Sequence, residues 1–271
     1  MDAARVIDVA RYPIDALESD AGRRLVAEAR RQLDETGIFL LPGFARPDAV
    51  EAIVEEVNAL RPRVHLRETP QRLYPRSVAL DASIPEDDPL RSSGRCVEGV
   101  LVYDLFRADS PLRALYESPS LPPFLAEVLQ EPVYPCADPM VSVIVLAMDD
   151  GHEHAWHFDS NEYVVSLMLQ RPEEGGEFEY VPLIRGDDDE SYDEVAAVLD
   201  GTSDRVVSVS AEPGTLVVFR GLRSVHRVAP VRGPRQRLIA LLSYSSEPGF
   251  VFSDELRIAN AGRSEPLPVG A

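Results

Sequence analysis

Residues 212–228 read EPGTLVVFRGLRSVHRV, and this stretch decides the expected fold. A Pro-Gly turn precedes the apolar run Leu216–Phe219, Gly221 interrupts it, and His226 falls in the next short strand. Similar apolar runs, each bounded by Gly, Pro or Asp, lie at 141–148, 162–170, 177–181, 205–210, 215–219, 223–228 and 237–245. Many short strands at fairly even spacing are typical of a sandwich, jelly roll or barrel, so we expect a mainly β fold with flanking helices.

The sequence before residue 133 predicts mainly helices, which we place at 16–35, 47–60, 110–117 and 121–130. A short buried strand is expected at 38–44, and residues 61–95 are predicted to be loop. We therefore expect a single domain over residues 1–271, with a helical part (1–132), a β core (133–250), an acidic insertion (185–204) and a poorly ordered tail (256–271). The insertion, with a predicted helix Tyr192–Leu199, is interpreted as a solvated loop or, alternatively, as a lid beside an active site.

Charge and composition exclude several classes of function. The net charge of −19 argues against a nucleic-acid partner and against an anionic membrane surface. All 27 basic residues are Arg, which excludes Schiff-base chemistry through a protein lysine. No signal sequence or spanning segment is evident, so a cytoplasmic location is expected. Cys96 and Cys136 are expected to be small buried residues.

The residues that carry chemistry are His157, Asp159 and His226. On an extended chain, residues two apart project to the same face, so His157 and Asp159 can present an imidazole and a carboxylate together. A second imidazole from another strand would complete the two-His-one-carboxylate set that suits Fe(II) and O₂. A His-x-Asp triplet alone is a weak signal, since it also fits a surface ion pair, and His226 alone fits a core histidine.

Arg237 opens the run Leu238–Tyr244, which is apolar on both faces and therefore expected to be buried. A buried guanidinium needs an anion, and the distal carboxylate of 2-oxoglutarate would satisfy it in bidentate fashion. The alternatives are an internal bridge to an Asp or Glu, or that Arg235 in the preceding turn takes the role.

The ordered set His157-Phe158-Asp159, Gly175–Tyr180, Pro213-Gly214, His226 and Arg237 resembles the Fe(II)/2-oxoglutarate oxygenase superfamily with its double-stranded β-helix core, a cupin-like jelly roll. Trp156 to Tyr180, Phe219-Arg220-Gly221 and Ser224–Val228 resemble the branch of free-amino-acid hydroxylases and halogenases, notably the free-lysine halogenases. The resemblance covers about residues 95–263. It implies Fe(II), 2-oxoglutarate and O₂ as cofactor and co-substrates.

One residue departs from the halogenases of this branch, in which a small residue replaces the carboxylate ligand and admits chloride. This chain has Asp159 there. The resemblance together with Asp159 implies hydroxylation of an unactivated C–H bond, coupled to conversion of 2-oxoglutarate to succinate and CO₂.

The substrate is expected to be a free amino acid or an amino-acid-derived metabolite. The residues expected to contact it are His154, by the resemblance, and Arg95, Asn161, Glu162 and Ser243. Lysine is disfavoured, because Ser160 and Met140 stand where acids could meet its ammonium group. Trp156, next to a ligand in a strand, is expected to face away from the metal and to pack. A homodimer is left open.

Two rival interpretations use the same ligands. A cupin-like metal-dependent isomerase or binding protein would need His157, Asp159 and His226 but not Arg237. An oxygenase scaffold that has lost catalysis would serve as an interaction domain; the intact ligand set argues against it.

Overall fold

The structure is a computed structural model that describes residues 5–75, 80–91, 93–187 and 189–267. Five parts of the predicted features lie outside those ranges: residues 1–4, residues 76–79 and Ser92 of the expected loop, Asp188 of the acidic stretch, and residues 268–271 of the tail.

The described helices are α1 (Asp20–Thr36), α2 (Pro47–Ala59), α3 (Pro111–Tyr116), α4 (Leu121–Leu129), α5 (Tyr192–Leu199) and α6 (Asp254–Ala261). α1 begins at Ser19, whose side chain accepts a hydrogen bond from the Gly22 amide, and ends at Gly37, which adopts a φ of 72°. Its buried face carries Val26, Ala29 and Leu33, which pack into the main core. The predicted helices therefore form close to their expected bounds.

The described strands are β1 (Ile38–Leu41), β2 (His65–Arg72), β3 (Ser93–Val102), β4 (Tyr134–Pro135), β5 (Val143–Met148), β6 (His154–His157), β7 (Val164–Gln170), β8 (Glu174–Gly175), β9 (Phe178–Tyr180), β10 (Val207–Val209), β11 (Leu216–Phe219), β12 (His226–Val228), β13 (Val231–Arg232), β14 (Arg237–Leu242) and β15 (Tyr244–Ser245). Eleven of them form one sheet in the order β1-β11-β7-β14-β5-β3-β6-β12-β9-β10, with β2 paired to β3. The pairings are antiparallel, which confirms the mainly β jelly-roll fold with flanking helices.

β3 joins the two halves of this sheet. Along one edge it pairs with β2 over eight residues; along the other it pairs with β5 through Gly99–Val102 and with β6 through Cys96. Gly99 allows the close approach to β5, because a Cβ there would lie 2.8 Å from the Ala147 carbonyl oxygen. β6, which carries the predicted ligand His157, is therefore next to the N-terminal half of β3, and β12, which carries His226, follows on the other side of β6.

Three expectations about organisation are corrected. Residues 61–95 are not simply loop, because they contain β2 and the start of β3. The part before residue 133 is not only helical, because β1, β2 and β3 belong to the main sheet. The expected disorder after residue 256 is wrong for α6, which begins at a Ser253 cap and ends at Gly262 with a φ of 69°.

The acidic insertion packs onto the sheet through α5. Val195 and Val198 are buried in a cluster with Tyr74, Phe158 and Ile184. Phe158 lies between the two predicted ligands His157 and Asp159, so the insertion contacts the segment that carries them. Among the described residues, no helix is both long and apolar enough to cross a membrane.

A candidate metal centre

His157, Asp159 and His226 lie together, and one nitrogen or oxygen of each falls within 4.8 Å of the others. His157 ends β6 and pairs directly with His226 at the start of β12. Asp159 follows β6, and its backbone is held in place because the Phe158 amide donates to the Leu73 carbonyl oxygen and the Asp159 amide to that of Gly221. The i, i+2 spacing and the cross-strand pair thus bring the three side chains to one point.

Backbone carbonyls fix the orientation of both imidazoles. His157 Nδ1 lies 2.8 Å from the Ala155 carbonyl oxygen, and His226 Nδ1 lies 2.9 Å from that of Ser224. Since a carbonyl only accepts, each Nδ1 carries the proton and each Nε2 presents a lone pair. Those Nε2 atoms face the Asp159 carboxylate, at 3.5 Å for His157 and 3.4 Å for His226.

This donor set fits a divalent metal ion. Burial lowers the pKa of His226 to about 3, so its imidazole stays neutral, as a metal ligand must be. Asp159 Oδ2 is buried and has no hydrogen-bond partner in the described part of the chain, a costly state that a cation would relieve. Two neutral imidazoles and one carboxylate are the set suited to Fe(II) with open positions.

Gly221 provides the space for the carboxylate. A Cβ at this position would lie 1.8 Å from Asp159 Oδ2 and 2.6 Å from Cγ. Only a residue without a side chain is therefore compatible with the observed position of Asp159. This constraint depends on a contact between residues 62 positions apart and could not be foreseen from the sequence.

Arg237 opens β14 and is 3% exposed. Its Nε donates to the Gly176 carbonyl oxygen at 2.9 Å, and Nη1 lies 3.9 Å from the Met148 sulfur. No carboxylate among the described residues pairs with this guanidinium, so the expected alternative of an internal ion pair is not observed. Burial lowers the pKa of Arg237 to about 10, partly offset by the charge of Glu98, so the group remains cationic at neutral pH. Arg235, the rival, is exposed.

His154 lies beside the ligands and is held by a network that the sequence did not reveal. Its ring stacks on that of His157, with centroids 4.0 Å apart and planes within 9°. Glu98, fully buried in β3, lies 3.0 Å from His154 Nδ1 and also pairs with Arg67. Glu98 is an acid within the apolar run Cys96–Val102, which was a signal in the sequence that this residue has a special role. Its partners could not be predicted, because they depend on how β3 is paired with the neighbouring strands.

The other residues expected to contact the substrate are exposed, paired with other side chains or distant from Arg237. Arg95 is exposed and donates to the Gly151 carbonyl oxygen. Asn161 is exposed, and Glu162 accepts from Arg220 and Arg223, at 3.1 Å each. Ser243 follows the far end of β14, six residues of extended chain or about 20 Å from Arg237.

Trp156 and the cysteines have the structural roles expected of them. The indole packs beside the cluster around Tyr74 and Phe158, with the Arg227 guanidinium 4.9 Å from its ring centroid. Cys96 and Cys136 are both buried and free.

The Halogenase D family model matches residues 21–253, which is most of the chain and includes all three clustered ligands. The chain belongs to the Halogenase D family. No curated protein sequence matches it significantly.

Several solved structures are similar to this chain in fold. A 2OG-Fe(II) oxygenase family protein from Burkholderia pseudomallei has 16% identity and a TM-score of 0.51, covering 83% of this chain and 92% of its own. AviO1 from Streptomyces viridochromogenes Tue57 has 20% identity and a TM-score of 0.53 (81% and 94%). EctD from S. alaskensis, solved with 2-oxoglutarate and 5-hydroxyectoine, has 19% identity and a TM-score of 0.52 (81% and 75%). The expected resemblance to the halogenase branch is confirmed by the family model, and these structures confirm the expected fold.

Proposed function

We propose that the protein is an Fe(II)- and 2-oxoglutarate-dependent hydroxylase of a free amino acid or an amino-acid-derived metabolite. The observation that carries the proposal is Asp159, whose carboxylate faces the Nε2 atoms of both His157 and His226. A carboxylate there completes the ligand set and adds negative charge, which disfavours a halide in the same position.

His157, Asp159 and His226 would hold the ferrous ion in this proposal. The carbonyls of Ala155 and Ser224 keep the two imidazoles in the ligating tautomer. When bound, iron would supply the activation of O₂ that couples conversion of the oxo acid to succinate and CO₂ with insertion of one oxygen atom into a C–H bond of the substrate.

Arg237 would bind the distal carboxylate of 2-oxoglutarate. Its guanidinium is buried and cationic, and within the described ranges its polar contacts are to neutral acceptors, Gly176 and Met148. A bidentate carboxylate would supply the missing anion. This need separates the proposal from a cupin-like isomerase or binding protein, which has no use for a buried cation at this point.

Two findings support the substrate class. The chain belongs to the Halogenase D family, and EctD, which has a similar fold, was solved with the small molecule 5-hydroxyectoine. The ring of His154 stacks on that of His157, with centroids 4.0 Å apart. It is therefore the one expected substrate contact that remains next to the proposed iron.

Anaerobic addition of Fe(II) and then 2-oxoglutarate tests the proposal. We expect a visible metal-to-ligand charge-transfer band, because the oxo acid chelates the iron through two open positions. Free amino acids are then screened under O₂ for substrate-stimulated succinate, with mass spectrometry for a gain of one oxygen. Absence of the band would contradict the proposal and favour the non-redox cupin.

Halogenation is the second candidate, and the description of the family favours it. It requires chloride to bind where Asp159 now lies. Turnover in saturating chloride, followed by mass spectrometry for the chlorine isotope pattern, separates the two reactions. We expect only the hydroxylated product, and a chlorinated product from the unaltered chain would overturn the choice of reaction.

A further inference from the structure

The acidic insertion reaches the candidate metal centre through one arginine. Arg185 lies at the start of the insertion, and its side chain is 12% exposed. Its guanidinium carbon lies 5.6 Å from the ring centroid of Phe158 and 5.9 Å from that of Tyr74, within the range of a cation–π contact. Phe158 is the residue between His157 and Asp159. Arg185 therefore contacts the chain at the point where it carries two of the three proposed ligands.

The same guanidinium also contacts the loop between β11 and β12. Its Nη1 donates to the Leu222 carbonyl oxygen at 3.3 Å. The residue before Leu222 is Gly221, which accepts a hydrogen bond from the Asp159 amide and leaves room for the Asp159 carboxylate. One side chain thus holds both segments that adjoin Asp159, one through the Phe158 ring and the other through the Leu222 backbone.

Glu190 fixes the direction of this guanidinium. Arg185 Nη2 donates to Glu190 Oε1 at 2.9 Å, and Nε lies 2.5 Å from Oε2. A two-pronged pair of this kind sets the plane of a guanidinium as well as its distance from the carboxylate. Because Arg185 cannot turn without breaking both contacts, it is kept over the two aromatic rings.

Backbone strain encloses the same stretch of chain. Among the described residues, three other than Gly have a positive φ, and two of these are Leu183 at 45° and Ser191 at 48°. Side chains disfavour this left-handed region, so such strain persists only where the surrounding contacts hold it. The Leu183 amide donates to Ser224 Oγ at 3.0 Å, and the pair of Arg185 with Glu190 closes the loop between the two strained residues.

We propose that Arg185 is a positioning residue for Asp159, an inference that rests on the proposed function, in which Asp159 is an iron ligand. Arg185 acts through Phe158 and Leu222, whose backbones adjoin Asp159 and its partner Gly221. Without the guanidinium, the aromatic ring and the loop lose a shared contact, and the carboxylate is no longer held opposite the two imidazoles. The insertion then supports the metal centre, in place of the solvated loop or lid expected from its sequence.

Hydrogen–deuterium exchange of the metal-free protein tests the effect on the backbone. The amides of Phe158 and Asp159 both donate to carbonyl oxygens, so they should be protected. Arg185→Gln should speed exchange in the peptide 157–162 by about 10-fold, the loss of one cation–π contact of this kind, and leave β5 and β14 unchanged. Arg205→Gln, whose exposed guanidinium pairs with α5, is the matched control. Unchanged exchange at 157–162, or faster exchange throughout the sheet, would overturn the positioning role.

Fe(II) affinity tests the effect on the ligand. In anaerobic titrations without any oxo acid, Arg185→Gln should weaken binding by about 10- to 100-fold, as is usual when a group that orients a metal ligand is removed. In the Asp159→Ala background the same substitution should cause no further loss, because its effect passes through that carboxylate. Losses that add in the double variant would refute the proposed link.

Glu190→Gln is the second variant, and it serves if Arg185→Gln does not fold. It keeps the guanidinium but removes its anionic partner, so exchange at 157–162 and iron affinity should change in the same direction by a smaller factor. Asp193→Asn makes the same change of charge at an exposed position of α5 and is its control. If Glu190→Gln behaves like this control, Arg185 does not act as proposed. Neither measurement uses turnover, so a failed hydroxylase assay leaves these outcomes intact, whereas unchanged iron affinity in Asp159→Ala would refute the ligand assignment itself.

Discussion

At the scale of single residues, the candidate metal centre depends on the fit between one carboxylate and one missing side chain. Asp159 meets both imidazoles only because Gly221 leaves room for its carboxylate. Ala155 and Ser224 contribute only their carbonyl oxygens, yet these decide which nitrogen of each histidine carries the proton. Substitutions here should therefore act on metal affinity more than on folding.

Asp159→Ala should abolish hydroxylation. It removes the only carboxylate of the cluster, leaving two neutral imidazoles that bind Fe(II) weakly. The measurements are succinate formation and Fe(II) affinity in the same preparation. Full hydroxylase activity in this variant would show that the ligand assignment is wrong. Asp159→Gly in saturating chloride provides the companion test for chlorinated product.

Arg237→Ala should raise the KM for 2-oxoglutarate by about 30- to 150-fold, because a charge-assisted pair of this kind is worth about 2–3 kcal/mol. The KM for the organic substrate should change far less. Arg235→Ala removes an exposed guanidinium that donates to the Pro172 carbonyl oxygen and is the matched control. Equal effects of the two substitutions would transfer the role away from Arg237.

Gly221→Ala should weaken Fe(II) binding through Asp159. The added methyl group would lie 1.8 Å from Asp159 Oδ2, so the carboxylate must leave its position. Iron affinity is measured in Gly221→Ala, in Asp159→Ala and in the double variant, where we expect no further loss beyond Asp159→Ala. Gly186→Ala is the control, since the nearest heavy atom to its added methyl is 3.9 Å away. Additive losses in the double variant would refute a positioning role.

At the scale of elements, the helices and strands that could be predicted are those whose sequence pattern lies within the element itself. β11 and β14 were evident because their apolar runs lie within one strand. β2 reads HLRETPQR and has no apolar alternation; it forms because its backbone pairs with β3 over eight residues, which no local pattern reveals. α6 has a weak apolar stripe, so its only strong local signals are its caps, Ser253 and Gly262.

The same distinction applies to the site. The roles of His157 and Asp159 could be predicted because their i, i+2 spacing is a local signal. The roles of His226 and Arg237 could be predicted because these residues follow in the order found in the family that the sequence resembles. Glu98 could not, since its contacts with His154 and Arg67 depend on the register of β3 with its neighbours. Arg95 was chosen by its position in the chain, but strand alternation aims Cys96 and Glu98, rather than Arg95, at His154.

Val195→Ala in α5 should destabilise the fold by about 1–3 kcal/mol, because Val195 is fully buried against the cluster that contains Phe158. Since Phe158 separates two of the proposed metal ligands, His157 and Asp159, Fe(II) affinity should fall as well. Urea unfolding and iron titration are the measurements. Val207→Ala makes the same chemical change at a position that is 41% exposed. If iron affinity were unchanged in Val195→Ala, the insertion would be independent of the metal centre.

At the scale of the whole molecule, the formal charge of −19 should make stability depend on salt. Like charges repel across the compact state, and added ions screen that repulsion. We expect the melting temperature of metal-free protein to rise by a few degrees between about 0.01 and 0.15 M NaCl. Thermal unfolding followed by circular dichroism, with chelator present throughout, measures this. A fall over that interval would mean that attractive ion pairs outweigh the net repulsion.

Arg237, at the start of β14, pairs with no carboxylate of the residues that the structure describes, and this has a consequence beyond catalysis. A fold that buries a positive charge without an anion gives up stability, and whatever diacid reaches Arg237 restores part of it. The oxo acid would then protect the chain from unfolding and proteolysis as well as take part in turnover. The number of intact enzyme molecules in a cell would accordingly follow the supply of that metabolite.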